Sequence, residues 1–474
     1  MKTGLTGMGS RNEGSVRKAK RFGEPALRLR CLRTRRGVHR AVVAFVLLVA
    51  LTCAPGCWGR RELEDVGFVV MLGADALTDA SGRPLPPAEA GLRISMGIAV
   101  PRAMLAGGGP GGGGGPGGGA PSMTVLTIDA PDPAAAEQTA EVSTNRDLRL
   151  IHLQALIFGE DLAGIGLDDV MDRTLRFRDL RHTVPIVVTE GRACDLIRIV
   201  SASMESNPWT YIYKLIMDTA DGMVSRQVHV HDLLVSRASK SKDAIVPLVR
   251  LSKETASGAG AAGGAAGGAG GGTERLSVVL VGGAVFKDAT MVGKLDVNEA
   301  VHALMLSGGL AKKAVMGYPV TPPPGVTEYK AGTQYVVGVE WEGSKVKKEV
   351  HLRESPGDGR KRAHILARVE LEGSVLRLPG HIDIASVEGI RTLESQVAEG
   401  VRFHLERVMR RAQEEFRGAD IFFFGDLVRR RFRTWAEWDA FDWPERFREA
   451  TFEIEVKVHL KRPGLTFRDV WKLY

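Results

Sequence analysis

The chain has 474 residues, 44% of them hydrophobic and 25% charged, with a formal charge of +8 and four cysteines. That length supports two or three domains with apolar cores of their own, so no disulfide framework is needed. The charge excludes a nucleic-acid-binding body: residues 1–56 hold 12 Lys or Arg and two Glu, a charge of +10, so the rest sums to −2 and offers no basic stripe for phosphates.

The basic segment ends at Arg40 and runs into the apolar stretch Ala41 to Leu51, then the small residues Ala54, Pro55 and Gly56, then Cys57. This is the three-part layout of an export signal. Eleven helical residues reach about 17 Å against a hydrocarbon core of about 30 Å, so the stretch is too short to span comfortably. Gly56 followed by Cys57 fits cleavage between them by lipoprotein signal peptidase, after the thiol has received a diacylglycerol group. Two acyl chains matter because each buried methylene contributes about 0.8 kcal/mol, and one chain alone holds a protein only marginally. Ala54-Pro55 departs from the usual Leu-Ala or Leu-Ser. The alternative is a plain secretion signal that leaves Cys57 as a stray thiol.

Beyond the leader, "GFVVMLGADAL" and "GLRISMGIAVPRA" read as strands with "DASGRPLPP" turning between them, and "MTVLTIDA" as a third. Asp132 followed by Pro133 opens a helix over "DPAAAEQTAEVSTN". "LRLIHLQALIFGEDL" is a buried strand running into a loop, and "GLDDVMDRTLRF" and "GRACDLIRIVSA" are short helices around the strand "HTVPIVVTE". Two Gly-rich tracts, 107–119 and 257–272, have no side chains to bury and cannot form a core. After the second, "RLSVVLVGGAVFKDATMVGKL" reads as two strands with a turn at Lys287-Asp288. A helix starts at Asp296, with Glu299 completing a capping box. "TQYVVGVEWEGSKVKKEVHL" and "AHILARVELEGSVLRL" alternate as half-buried antiparallel strands. From Val387 to Phe416, Ile390, Leu393, Val397, Val401, Leu405, Val408, Ala412 and Phe416 recur at spacings of three and four on one helical face. "ATFEIEVKVHLKR" closes the chain as a strand. The expected architecture is multi-domain α+β, with mixed or antiparallel sheets, packed helices, and the long helix on an antiparallel C-terminal sheet. The expected organisation is a signal peptide over 1–56, an N-terminal α+β region over 57–256, a Gly/Ala-rich linker over 257–272 and a C-terminal α+β domain over 273–474.

Few residues suggest chemistry. His229 and His231 in "QVHVHDLL" share a face if this is a strand, with Asp232 beside them; two ligands without a third are a poor metal site, and an exposed strand face explains them better. Asp168, Asp169 and Asp172 read as favourable charge at the front of a helix. Cys194 reads as a small buried apolar residue rather than a nucleophile. No phosphate loop, nucleophile elbow or zinc-protease motif occurs, so neither catalysis nor a cofactor is expected. The aromatic end, with Phe422, Phe423, Phe424, Trp435, Trp438, Trp443 and Phe447, is read as a capped core or, through Trp435, Trp443 and Phe447 beside Arg429, Arg430 and Arg431, as a surface for a protein partner or anionic lipid.

Four blocks carry a resemblance. "GCWGRRELEDVGFVVMLGAD" is similar to the start of the mature Ger(x)C spore-germination lipoproteins, the C subunits of nutrient germinant receptors: Gly56, Cys57 and Trp58, then Arg61 and Glu62, then a strand ending in Gly73 to Asp75. "LRLIHLQALIFGEDL" through "VVTEGRA" resembles the family's middle block, "GGAVFKDATMVGKLDVNEA" the opening of its C-terminal domain, and "ADIFFFGDLVRRRFRTW" with Trp443, Phe447 and "LKRPGL" its end. The Gly tracts, Gly59 and Ala54-Pro55 depart from it. The resemblance implies a non-enzymatic subunit lipidated at Cys57 on the outer face of the inner spore membrane, working beside integral-membrane A and B subunits to couple nutrient sensing to germination. The alternative is a substrate-binding lipoprotein of a transporter.

Overall fold

The computed structural model describes residues 40–47 and 65–461, apart from 101–121, 175, 177–178, 202–208, 211, 216–227, 255–274, 310–313, 322–334, 355–360 and 378–385. Gly56, Cys57, both Gly-rich tracts and the "RPGL" of the last block lie outside the described residues. The chain divides into Met1–Glu62 and Leu63–Tyr474. In the first unit, residues 40–47 form a helix with Val42, Val43, Phe45, Val46 and Leu47 exposed. No helix among the described residues is long and apolar enough to cross a membrane.

The second unit contains two mixed sheets. The larger runs β3 (Met123–Ala130), β2 (Leu92–Ala99), β1 (Val66–Ala76), β5 (Ala155–Gly159), β6 (Ile186–Glu190), β7 (Ile245–Glu254), β8 (Arg275–Lys287), β9 (Thr290–Asp296), with β4 (Asp147–Arg149) beside the start of β1. Its centre, β1-β5-β6-β7, is parallel, and both flanks are antiparallel. Parallel strands covered on both faces need unbroken apolar runs. "ALIFG" and "IVVT" supply them, buried at every position.

Helices cover the two faces. Between β2's lead-in and β6 come α1 (Pro87–Ala90), α2 (Pro133–Thr144), α3 (Glu160–Ile165) and α4 (Asp168–Thr174). Asp132 caps α2 by accepting from Ala135 N at 2.9 Å. Together with α6 (Val230–Ser239), helices α2, α3 and α4 pack Ala136, Ala140, Leu162, Met171 and Leu233 onto one face of the sheet. On the other, α5 (Ala193–Ser201) places Ala193, Leu196, Ile197 and Val200 against Met71, Ile157 and Val187. Two expectations change. The stretch after β5 is the helix α3 rather than a loop, and "VHDLL" is helical rather than strand.

The second sheet is β10 (Ala314–Val320), β11 (Tyr335–Glu354), β12 (Lys361–Arg377), β13 (Thr451–Lys461). It is antiparallel through β12 and closes with β13 parallel to β12. A parallel return needs a long crossover. Here four helices supply it: α8 (Val387–Glu414), α9 (Gly425–Arg429), α10 (Trp435–Phe441) and α11 (Trp443–Arg448). Ser386 starts α8 by accepting from Gly389 N at 3.0 Å. Of its expected seam, Leu393 through Ala412 is 2% exposed or less and packs on the sheet, Ile390 is half-buried, and Phe416 is buried just beyond the helix end at Glu414.

Preceding β10, α7 (Val297–Ser307) carries the expected capping box, with Asp296 and Glu299 each accepting from the other's backbone N–H. Inside the second core a polar chain links α7 to the sheet. The Trp341 indole donates to Tyr318 Oη at 3.1 Å, and Tyr318 Oη meets His302 Nε2 at 3.2 Å. His302 Nδ1 lies 2.6 Å from the Asn298 carbonyl, which can only accept, so the proton sits on Nδ1. Burial pushes His302 down to about 4, which keeps it neutral near pH 7.

Sheet membership places β8 and β9 with the first sheet, so the tract at 257–272 connects two neighbouring strands, β7 and β8, and the second sheet begins only at Ala314. The same two strands also feed the second core through Val285 and Leu295.

Candidate functional site

At the end of β1 the Gly-x-Asp element brings Asp75 into the interior, 3% exposed. A buried carboxylate must find donors. Asp75 finds them at the start of α5: Oδ1 accepts from Ala193 N at 2.6 Å and Oδ2 from Cys194 N at 3.0 Å. Burial pushes its pKa up, opposed by these two donors. Gly159 passes so close that a Cβ there would overlap Asp75 Oδ1. Gly159, the last residue of β5, is therefore the floor of this joint. Cys194 is 2% exposed, and burial pushes its thiol up to about 11, with Asp75 and Asp195 adding to the effect, so it is protonated near neutral pH.

Glu160 leads outward from the joint. Lys294 Nζ, on β9, lies 2.7 Å from Glu160 Oε1 and 3.0 Å from Glu190 Oε1. Arg411 on α8 donates to the Lys294 carbonyl at 3.3 Å and pairs with the buried Glu299. This strip ties the first sheet to the long helix. Its lysine and two outer carboxylates keep a quarter to two-fifths of their side-chain surface exposed, so each such pair contributes little to stability and chiefly fixes register.

A second joint is built on Asp420, 1% exposed, in "ADIFFFGD". Its Oδ1 accepts from Phe422 N and Phe424 N, both at 3.2 Å, and its Oδ2 from Gly425 N at 2.6 Å and the Trp443 indole at 3.0 Å. Gly425 admits this because a Cβ there would press into the Trp443 ring and the Ser241 carbonyl. Asp243, from the loop after α6, answers with two bonds of 2.9 Å: its N–H donates to the Asp420 carbonyl, and its Oδ2 accepts from Asp420 N. Burial pushes Asp243 up to about 7. Next to it, a cavity of about 220 Å³ is lined by residues of α6, α7 and the Asp420 loop, among them Val235, Leu304 and Phe423.

The sequence-predicted surface residues separate here. Trp443 and Phe447 are core, 1% and 0% exposed, packed with Phe422 and Phe424. They cannot meet a partner. Trp435 is 56% exposed, with the Arg429 guanidinium 4.0 Å from its ring centroid. Trp438 is buried and donates to the Ser239 carbonyl at 2.9 Å. Of the three arginines, Arg431 is engaged, donating to the Val350 carbonyl at 2.6 Å.

His229 and His231 do not share a strand face. His229 is the residue before α6, its N–H and Nδ1 lying 2.9 and 3.0 Å from Asp232 Oδ2, and His231 is within the helix. Among the described residues no group of three or more His, Cys, Asp or Glu is placed to hold a metal. Asp168 and Asp169 lie in the first turn of α4, as expected. Asp243 and Asp420 were not singled out by sequence. For Asp420 the available signal was a lone carboxylate inside an apolar run, which Asp75 in "MLGADAL" shares; Asp243 follows the polar stretch "SKSK" and carries no such signal.

Two dissimilar α+β parts, one on a nine-stranded and one on a four-stranded sheet, joined through buried carboxylates, define the class of this protein. Residues 59–251 match the family described as spore germination protein N-terminal domain, and residues 281–464 match the one described as spore germination B3/GerAC like, C-terminal. The chain belongs to the Ger(x)C family of spore germination proteins. Among curated relatives it is 24% identical to spore germination protein KC of Bacillus subtilis (strain 168) over 213 residues, 44% of this chain and 49% of that one. It is also 24% identical to spore germination protein YndF of the same organism over 171 residues, 34% of this chain and 42% of that one. The matches thus span about half the length of these relatives. The crystal structure of the GerBC protein aligns over 82% of this chain and 97% of its own, at 15% identity and a TM-score of 0.45.

Proposed function

We propose that this chain is the C subunit of a spore nutrient germinant receptor. In this reading it is exported, cleaved between Gly56 and Cys57, and anchored by a diacylglycerol group on Cys57 to the outer face of the inner spore membrane. There it assembles with integral-membrane A and B subunits and couples their nutrient sensing to germination, without catalysis. One observation carries the reading: both spore germination domains match in order across 59–464, beginning two residues after Cys57. The anchor confines the body to the membrane plane, which raises its effective concentration toward integral partners without any single strong contact. The transporter-lipoprotein alternative calls for two similar lobes around a cleft, and the two sheets differ in size, order and covering helices.

The test is fractionation of spores carrying Cys57→Ala. The substituted protein is expected in the soluble fraction, with slowed nutrient-triggered germination. Retention at the membrane in normal amount would remove the anchor from the reading, and normal germination without any copy of this gene would remove the receptor role.

A further inference from the structure

A surface cavity of about 500 Å³ opens between the loop after α6 and the α9–α10 segment, walled by Lys242, Arg429, Arg430, Arg433, Trp435 and Trp438. Its single carboxylate is Asp426, which lies 3.7 Å from Lys242 Nζ and accepts from Ser241 Oγ at 2.6 Å. Among the described residues no carboxylate pairs with the guanidinium of Arg429, Arg430 or Arg433. Four cations against one carboxylate leave an excess of three positive charges around one concavity. We propose that this cavity binds a phosphate ester.

The chemistry selects that ligand. Guanidinium forks match phosphate oxygens bidentately, and a phosphate monoester carries about −1.5 to −2 near neutral pH, closer to the local excess than the single charge of a carboxylate. The volume is in the range of about 300–1,000 Å³ usual for small-ligand sites. Preorganisation is visible as well. The Arg429 guanidinium lies over the Trp435 ring, 4.0 Å from its centroid, and is restrained by that contact. Thr434 accepts from Glu437 N at 3.2 Å, and Trp438 is pinned to Ser239, so the segment bearing the arginines is fixed before any ligand arrives. A phosphate ester reaches such a site from a soluble metabolite or from a lipid headgroup.

The experiment uses the unit Leu63–Tyr474, which contains all three apolar cores, so that the leader plays no part. One arm titrates inorganic phosphate and follows it by phosphorus NMR. The other measures co-flotation with phosphatidylcholine vesicles with and without phosphatidic acid, whose headgroup is a phosphate monoester. The double variant Arg430→Gln, Arg433→Gln removes two exposed charges without touching a core. It is expected to weaken vesicle binding about fivefold per charge and phosphate binding about tenfold per lost contact. Arg391→Gln, on the exposed face of α8, is expected to change neither, and an unchanged melting temperature confirms the fold of each variant. Binding of phosphate alone assigns a soluble ester, and binding only to phosphatidic acid vesicles assigns a headgroup. No binding in either arm, or binding that the double variant retains, overturns the proposal, as does capture of an acidic peptide in place of phosphate. Both arms are read on purified protein, so their outcome is separate from that of the germination reading.

Discussion

Asp75 and Asp420 solve one problem in two places. Each lies in an apolar stretch: Asp75 gathers two N–H groups from more than 100 residues away, and Asp420 gathers three from its own loop and adds the Trp443 indole, 23 residues on. Asp75→Ala leaves two buried donors at the start of α5 unpaired and is expected to cost about 1–3 kcal/mol in urea unfolding. Gly159→Ala, which drives a methyl into the same carboxylate, is expected to destabilise by a comparable amount. Asp243 adds a pH dependence. Its folded pKa of about 7 lies above the value of about 4 expected for an unfolded Asp, so between these values the folded chain holds a proton that the unfolded chain has released. That stability is complete below about pH 4 and lost as pH rises through about 7. Asp243→Asn keeps the acceptor for Asp420 N and removes the titration. Its melting temperature relative to wild type is therefore expected to rise between about pH 5 and about pH 8, and a constant difference would show that Asp243 does not titrate there.

At the scale of elements, α8 and the short helices after it divide between holding and presenting. Leu405 is fully buried in the α8 seam, so Leu405→Ala is expected to cost about 2–5 kcal/mol. Trp443→Ala is expected to cost about 3–5 kcal/mol from its volume alone, and it also takes a donor from Asp420. Trp435→Ala, at an exposed position, is expected to leave thermal unfolding nearly unchanged. A large loss from Trp435→Ala would mean that it belongs to the core with its neighbours. Of the two elements that differ from expectation, α6 has its own cause. "QVHVH" alternates as a strand does, while the true start signal is Asp232 reaching back to the His229 N–H, and His is an unusual residue to precede a helix.

For the whole molecule, β8 and β9 of the first sheet send side chains into the second core, and the Glu160–Lys294–Arg411 strip and the Asp243–Asp420 lock link the two parts further. These contacts span the two parts, so displacing one against the other would break buried hydrogen bonds. If the proposed anchor acts only by confinement, replacing the leader and Cys57 with an unrelated transmembrane helix is expected to restore germination to spores in which Cys57→Ala has slowed it. Failure of that rescue in correctly localised protein would assign the lipid a direct role.

The periodic elements were legible residue by residue. The seam of α8, the cap at Asp132, the capping box at Asp296 and the hairpin of β8 and β9, whose turn falls at Asp288-Ala289, one residue later than expected, follow from local spacing and local hydrogen bonds, which the chain carries wherever it goes. The family was legible too, because its blocks are short and contiguous. The strand order, the parallel return of β13, the placing of β8 and β9 with the first sheet, and the split that buries Trp443 while exposing Trp435 were decided by tertiary structure. Each of these depends on what another segment, often more than 100 residues away, brings to the same place, and two tryptophans eight positions apart look alike until that neighbour is present.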